Sequence, residues 1–247
     1  MTVYVNTATR LIVNTTVMSA FANDLTVNAT GEIKDTTPIG GTGGWSRKTV
    51  GLKEFDVTMT GMADFATTGP DAAFPATTPG SQDVITVYPI NDGGTIAEPA
   101  FVGLGRSVNI VPLMGSVGDV AGMSINWAGD GRLCGGKILH PSAARTVTGN
   151  GTAVALTGPS ASQSIFANFH VTSVSGAGTI TFVVATDDAV GFPSATTRIT
   201  STAFAAVGSE QRSATPGNIA TETHFRVSWT IAGFTSVTFE VAVAVAA

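Results

Sequence analysis

An all-β chain of two successive sandwich-like domains is what this 247-residue sequence predicts, and three observations carry the prediction. Apolar and polar residues alternate with period two along many short stretches, the mark of strands with one buried face. Glycine (29 residues) and proline (11) punctuate those stretches as turn formers do. The composition is dominated by Gly, Thr, Ala, Val and Ser, with no clustering of strong helix formers, so pleated surfaces are favoured over helices. At this length the chain holds one large β domain or two smaller ones, each able to bury a core.

In chain order, Val3 to Val17 reads as one or two extended segments. Between Asp24 and Phe65 lies a hairpin. On its first arm Leu25, Val27 and Ala29 alternate with Thr26, Asn28 and Thr30; on its second Phe55, Val57 and Met59 alternate with Glu54, Asp56, Thr58 and Thr60. The arms are separated by Gly31 to Val50, where Pro38, the run Gly40, Gly41, Gly43 and Gly44, and Trp45 make a loop too long for a tight turn and too glycine-rich for a helix. Ala66 to Asp83 reads as a second loop, followed by extended pieces at Val84–Ile90 and Phe101–Val111 and a half-buried strand at Met123–Trp127. These make a first domain of residues 1–140. Pro141 and a Gly-Asn-Gly turn mark residues 141–151 as a linker. Residues 152–247 make the second domain, with strands expected at Ala153–Leu156, Ser164–Val174, Thr179–Ala185, Thr197–Ala203, Thr223–Ile231 and Thr235–Ala246. Short strands between Gly and Pro turns make this a β-sandwich of about 100 residues.

Charge and cysteine usage exclude several classes. The net charge is −5, and neither half carries the basic patch that phosphate binding requires. Only 12% of residues are charged while 43% are hydrophobic, which points to a surface partly covered by other subunits. With Cys134 alone there is no intramolecular disulfide, and the start MTVYVNTATR has neither the basic nor the apolar region of a signal peptide. No apolar run is long enough to cross a bilayer, so no membrane association is expected, and the sequons at Asn14, Asn28 and Asn150 are expected to stay unmodified.

The search for chemistry is nearly empty. His140, His170 and His224 lack any metal-ligand spacing, and one cysteine cannot build a zinc site. GPSAS around Ser160 lacks the second glycine of a nucleophile elbow, and GGTGGWSRKT lacks the Gly-Lys-Ser/Thr ending of a phosphate loop. Asp187 and Asp188 suit an acidic turn better than a calcium loop. Glu54 and Asp56 share one strand face, but a glycosidase pair must converge across a cleft. No catalytic, cofactor-binding or metal-binding residues are assigned, and the chain is not expected to be an enzyme.

The long-looped hairpin, with Gly51-Leu52-Lys53 opening its second arm and EFDVTMTGMADF continuing it, resembles the tail tube proteins of long-tailed bacteriophages. Phe101 to Gly131 is similar to the later part of that domain, so the resemblance covers roughly the first 140 residues. It implies a major tail tube subunit: a homo-oligomeric ring stacked into a tube in the virion tail, made in the host cytoplasm and meeting other tail proteins, whose lumen passes DNA during ejection without binding it specifically. It implies inter-ring roles for Asp35, Thr36, Thr37, Trp45 and Arg47 in the loop. The polar face bearing Glu54 and Asp56 would then line the lumen, where acidity keeps DNA from sticking. The second domain is expected on the tube exterior, and it holds no second copy of the hairpin. The rival reading is a carbohydrate-binding or host-adhesion module of a phage particle, seated on the second sandwich. Trp229, however, falls on the apolar face of its strand, where it cannot stack on a sugar.

Overall fold

Backbone hydrogen bonding organises the chain into strands almost throughout. The computed structural model describes residues 8–36, 46–63 and 80–247. Its strands are β1 (Arg10–Val13), β2 (Thr16–Val17), β3 (Ala22–Asp35), β4 (Lys48–Met62), β5 (Gln82–Tyr88), β6 (Pro99–Met114), β7 (Gly122–Gly129) and β8 (Cys134–Arg145), then β9 (Gly149–Asn150), β10 (Val154–Ala155), β11 (Ser164–Ser175), β12 (Thr179–Asp187), β13 (Thr196–Thr200), β14 (Gly208–Ala214), β15 (His224–Ala232) and β16 (Ser236–Ala246). The described pairings are antiparallel, and the fold is all-β as the alternation predicts.

In the first half β6 works as a spine. One edge pairs with β5; the other pairs first with β8 through Pro99–Val102 and then with β7 through Gly105–Met114. Beyond β7 the sheet continues to β4 and β3, and beyond β5 to β1 and β2. The sheet thereby turns back on itself. Leu11, Val13, Ile85 and Val87 from one side meet Phe55, Val57, Met59, Met123, Ile125 and Trp127 from the other in a dry core. Phe55 lies so close to β7 that a Cβ at Gly129 would come within 2.4 Å of its ring, so only glycine is tolerated there.

The second half is a closed two-layer sandwich. One layer runs β14-β11-β16-β8, the other β10-β15-β12-β13 with β9 beside β15. Counted within this half, with β9 and β10 as one strand, the orders are sixth-third-eighth-first and second-seventh-fourth-fifth, the arrangement of a jelly roll. Its core stacks Phe169 on Phe182 at 5.3 Å between ring centroids, and Phe182 meets Phe239 at 4.8 Å. His140 lies inside this core, stacked on Phe239 at 4.3 Å and edge-on to Trp229 at 5.0 Å.

Two expectations are corrected. Pro141–Arg145, expected in the linker, form the second half of β8, which pairs with β16 along most of its length. β8 and β16 approach closely, since a Cβ at Gly136 would lie 2.0 Å from the Val243 carbonyl oxygen. Pro141, which has no N–H to give, falls at a register shift between His140 and Ala143. β8 also bonds to β6, so the halves share one sheet and bury a joint cluster of Ile12, Tyr88, Ala100, Val102, Cys134, Ile138, Ala242 and Ala244. Secondly, β14 was not foreseen. Its GSEQRSA sequence is polar on both faces, as suits an edge strand protected by charge.

Candidate functional site

The described part of the expected loop is largely strand. β3 and β4 stay paired from Ala22↔Gly61 to Asp35↔Lys48, with a bulge between Gly31 and Ile33. A Cβ at Gly31 would meet Val50 Cγ1 at 2.6 Å, so the bulge needs its glycine. β7 covers β4 only between Asp56 and Met62. The remainder, Ala29–Asp35 against Lys48–Phe55, is therefore a two-stranded ribbon standing off the domain, an arrangement marginal in water by itself.

This ribbon carries exposed apolar side chains. Ile33 and Val50 are direct cross-strand partners, and Leu52 stands beside them at the register shift in β4. Leu52 is 82% exposed, Ile33 69% and Val50 58%. At its end Lys48 Nζ contacts Asp35 Oδ2 at 2.6 Å, and the Thr36 N–H donates to the Arg47 carbonyl at 2.9 Å. Asp35, Thr36 and Arg47 thus come together at the ribbon's end. Thr37 and Trp45 lie outside the described residues. The segment from 29 to 54 carries four bases and three acids, whereas the rest of the chain carries eight bases and fourteen acids.

A second projection leaves the opposite end of the same sheet. Met62 pairs with Gly122, and from there the β6–β7 hairpin runs out to a tip turned by Gly115 (φ 121°) and Gly118 (φ 100°). Leu113, Val117 and Val120 stand in solvent there, and Met62 is half exposed beside them. The charge on this tip is Asp119, whose carboxylate accepts from the Ser116 N–H. Fifteen residues of β4 separate the two ends, about 50 Å of extended chain. The sequence reading missed Ile33, Val50 and Leu52 as contact residues, because they fell inside the expected loop. It also missed the tip, where Leu113, Val117 and Val120 flank glycines.

Between the ends lies the polar face. Cross-strand register aligns Asn28, Asp56 and Ala128, then Thr26, Thr58 and Asn126, then Asp24, Thr60 and Ser124. Glu54 is exposed and Asp56 half-buried on this face, while Phe55, Val57 and Met59 point into the core. Asn28 Nδ2 donates to Asp56 Oδ1 at 3.3 Å and Thr30 Oγ1 to Glu54 Oε1 at 3.4 Å. Arg106, on β6 at the rim, is held by Asp130 at 2.9 Å. The wall is thus built of small hydroxyl and amide groups with unpaired carboxylate charge.

Elsewhere the polar groups are structural. The Asp187 carboxylate accepts the N–H groups of Ala189 and Ser194, which hold its pKa below the usual range and close the β12–β13 loop. Among the described residues no group of three or more His, Cys, Asp or Glu is placed to hold a metal ion.

No protein-family profile and no curated protein matches the chain. Among solved structures it is similar to a chain of the virion of a native gene transfer agent particle, with 20% identity and a TM-score of 0.38 over 50% of this chain and 92% of that one. It is similar to a chain of the sheath/tube terminator of an extracellular contractile injection system, PVC, in the extended state, with 13% identity and a TM-score of 0.44 over 55% and 97%. A third likeness, to the SPP1 Dit protein, described as a paradigm of hub adsorption apparatus in Gram-positive infecting phages, has 10% identity and a TM-score of 0.36 over 97% and 99%. These structural neighbours are components of phage-type tails and of injection systems.

Proposed function

We propose that the chain is a structural virion protein, the major tail tube subunit of a phage tail, which closes into rings and stacks them into a DNA-conducting tube. The observation that carries this reading is the pair of exposed apolar ends on one sheet, about 50 Å apart. A molecule with two different sticky ends at opposite poles of one sheet favours pairing one end with the other end of the next copy over pairing like with like. It joins head to tail, and head-to-tail contacts propagate. The ribbon, with its surplus of bases, docks on the next ring at the β6–β7 tip, which belongs to the acidic remainder of the chain. Asp35, Thr36, Thr37, Trp45 and Arg47 sit on or next to that contact.

Lateral closure uses β3. Its outer edge has no partner strand among the described residues, and Leu25–Gly31 contains neither charge nor proline to guard it. A neighbour's strand completes the ladder there. The polar wall of Glu54, Asp56, Thr58 and Asn126 then faces the lumen, where carboxylates repel the phosphate backbone and small polar groups give it nothing to grip. The jelly roll lies outside the tube. For the sugar-binding alternative, Asn168, His170 and Glu240 on the outward face of the β11–β16 layer are out of reach, being buried against the first half.

Mixing decides the matter. Leu52→Asp spoils the ribbon and Val120→Asp spoils the tip, so each variant alone is expected to stay unpolymerised under the electron microscope. Mixed together, the intact tip of one meets the intact ribbon of the other, and short capped assemblies form. Tubes from either variant alone, or no assembly by the unaltered chain at high concentration, would overturn the proposal.

A further inference from the structure

The seam between the halves is polar in sequence and buried in the fold. Asn168 and His170 on β11 and Glu240 on β16 point away from the jelly-roll interior, yet none has any exposed surface. β1 and β5 roof them over. His170 Nδ1 lies 2.6 Å from the Asn14 carbonyl oxygen, and its Nε2 lies 2.8 Å from Thr86 Oγ1. A carbonyl only accepts, so Nδ1 carries the proton and Nε2 takes the Thr86 hydroxyl hydrogen. Asn168 Nδ2 donates to Thr86 Oγ1 at 2.9 Å and to the Ile85 carbonyl at 2.8 Å, while its own carbonyl receives Gln211 Nε2 at 2.8 Å.

The chain of bonds continues into the first half. Asn14, held at a positive φ of 54°, donates to Asp83 Oδ1 at 2.7 Å and accepts from Ser209 Oγ at 3.1 Å. Asp83 Oδ2 in turn accepts the Trp127 indole N–H at 3.1 Å. Beside it, Arg10 on β1 reaches Glu240 Oε1 at 3.0 Å.

We propose that this seam is an acid-sensitive joint, in which protonation of His170 releases the jelly roll from β1 and β5 while β8 keeps the halves tethered. The geometry has room for the neutral ring only. A second N–H at Nε2 would face an oxygen that already receives Asn168 and would displace the hydroxyl hydrogen that Nε2 now accepts. The new cation would be fully buried and close to Arg10. Burial accordingly pushes the His170 pKa from 6.5 down to about 4, against the pull of the Asn14 carbonyl and with help from Arg10.

The sign follows. A released His170 takes up a proton below about pH 6.5, whereas the docked one stays neutral until about pH 4, so docking is at full strength above the first value and weakens through that window. The other charged groups around the seam oppose this only in part. Burial raises the Asp83 and Glu240 carboxyls, so their protonation in the docked state returns some stability as pH falls. Tyr88, raised well above 10 by burial and then by Glu240, stays neutral throughout. Asp92 acts on Glu240 from the adjoining turn, and on β14 Glu210 and Arg212 pair with each other. The His170 shift is the large one, worth about a hundredfold in the docking equilibrium across the window.

Cys134 supplies a native reporter, being the one cysteine of the sequence and buried in the cluster that joins the halves. The full-length chain is labelled with a dipyridyl disulfide, which reacts in acid, and rates are divided by those of an unstructured thiol peptide at each pH. The protection ratio is expected to fall about a hundredfold from pH 6.5 to 4 while the methyl NMR signals of Val171 and Ile180, inside the jelly-roll core, stay native. His170→Gln, which cannot titrate, should flatten that slope. Carbon-detected NMR of the His170 ring in the unaltered chain tests the joint without any variant. An ordinary His170 titration near pH 6.5 with Cys134 still protected, or equal slopes in the two chains, would overturn the joint whatever becomes of the tube.

Discussion

The two halves treat apolar surface in opposite ways. The jelly roll turns its aromatic residues inward from both layers, and Phe169, Phe182, Phe225 and Phe239 have no exposed surface. The first half buries a core as well, yet sends the β3–β4 ribbon and the β6–β7 tip into solvent with Leu52, Ile33, Leu113 and Val120 uncovered. A closed sandwich satisfies its own sheets. An open sheet with apolar ends leaves surface uncovered that a sandwich closes for itself. Difference in stability is therefore not what separates the halves; what separates them is how far each covers its own apolar surface, which the jelly roll does in its core and the first half leaves undone at the ribbon and the tip.

The largest effect should come from cutting into the closed half. Phe169→Ala removes a fully buried ring from the aromatic stack and should cost about 3–5 kcal/mol, read as a drop in the urea midpoint. Because β8 and the joint cluster tie the halves, both should unfold in that single transition, whereas two separate transitions would break the picture of one shared sheet. Next comes the seam. Glu240→Ala leaves the Arg10 guanidinium without its buried partner and should cost about 3 kcal/mol, by the same measurement.

Acid comes third. His140 and His170 are both lowered to about 4, chiefly by burial, so the unfolded chain binds protons that the folded chain refuses between pH 6.5 and 4. Unfolding free energy should be flat above pH 6.5 and fall by roughly 2–3 kcal/mol per histidine on the way to pH 4. A midpoint that stays constant over that range would show the two rings to be accessible. Smallest in stability is Leu52→Asp, which touches nothing in its own chain and should shift the midpoint by less than about 0.5 kcal/mol. Its whole effect should appear in polymerisation, and a large loss of stability instead would mean that the ribbon folds back on its own domain.

Legibility in the sequence divides along the same lines. Period-two alternation placed β4, β7, β11, β12, β15 and β16 because each turns its large apolar residues to one face. It failed for β14, which has no buried face to announce it, and for β8, whose Pro141 read as a break. Of the inter-ring residues, Asp35, Thr36 and Arg47 do meet at one place, and Glu54 and Asp56 do share a face. Ile33, Val50 and Leu52 were hidden inside what looked like loop. His140 and His170 passed as ordinary strand residues, since spacing along a chain says nothing about what will roof a side chain from eighty or more residues away.

What the sequence by itself determined is the class of structure: strands, their inward faces, and an acidic balance. Those properties are local or additive, so they survive without knowledge of partners. The tertiary structure alone decided that the halves share a sheet, that Asn168, His170 and Glu240 form a seam and not a ligand face, and that two apolar ends stand at opposite poles. Each of these depends on which strand lies beside which, and strand order is set by packing between residues far apart in the chain.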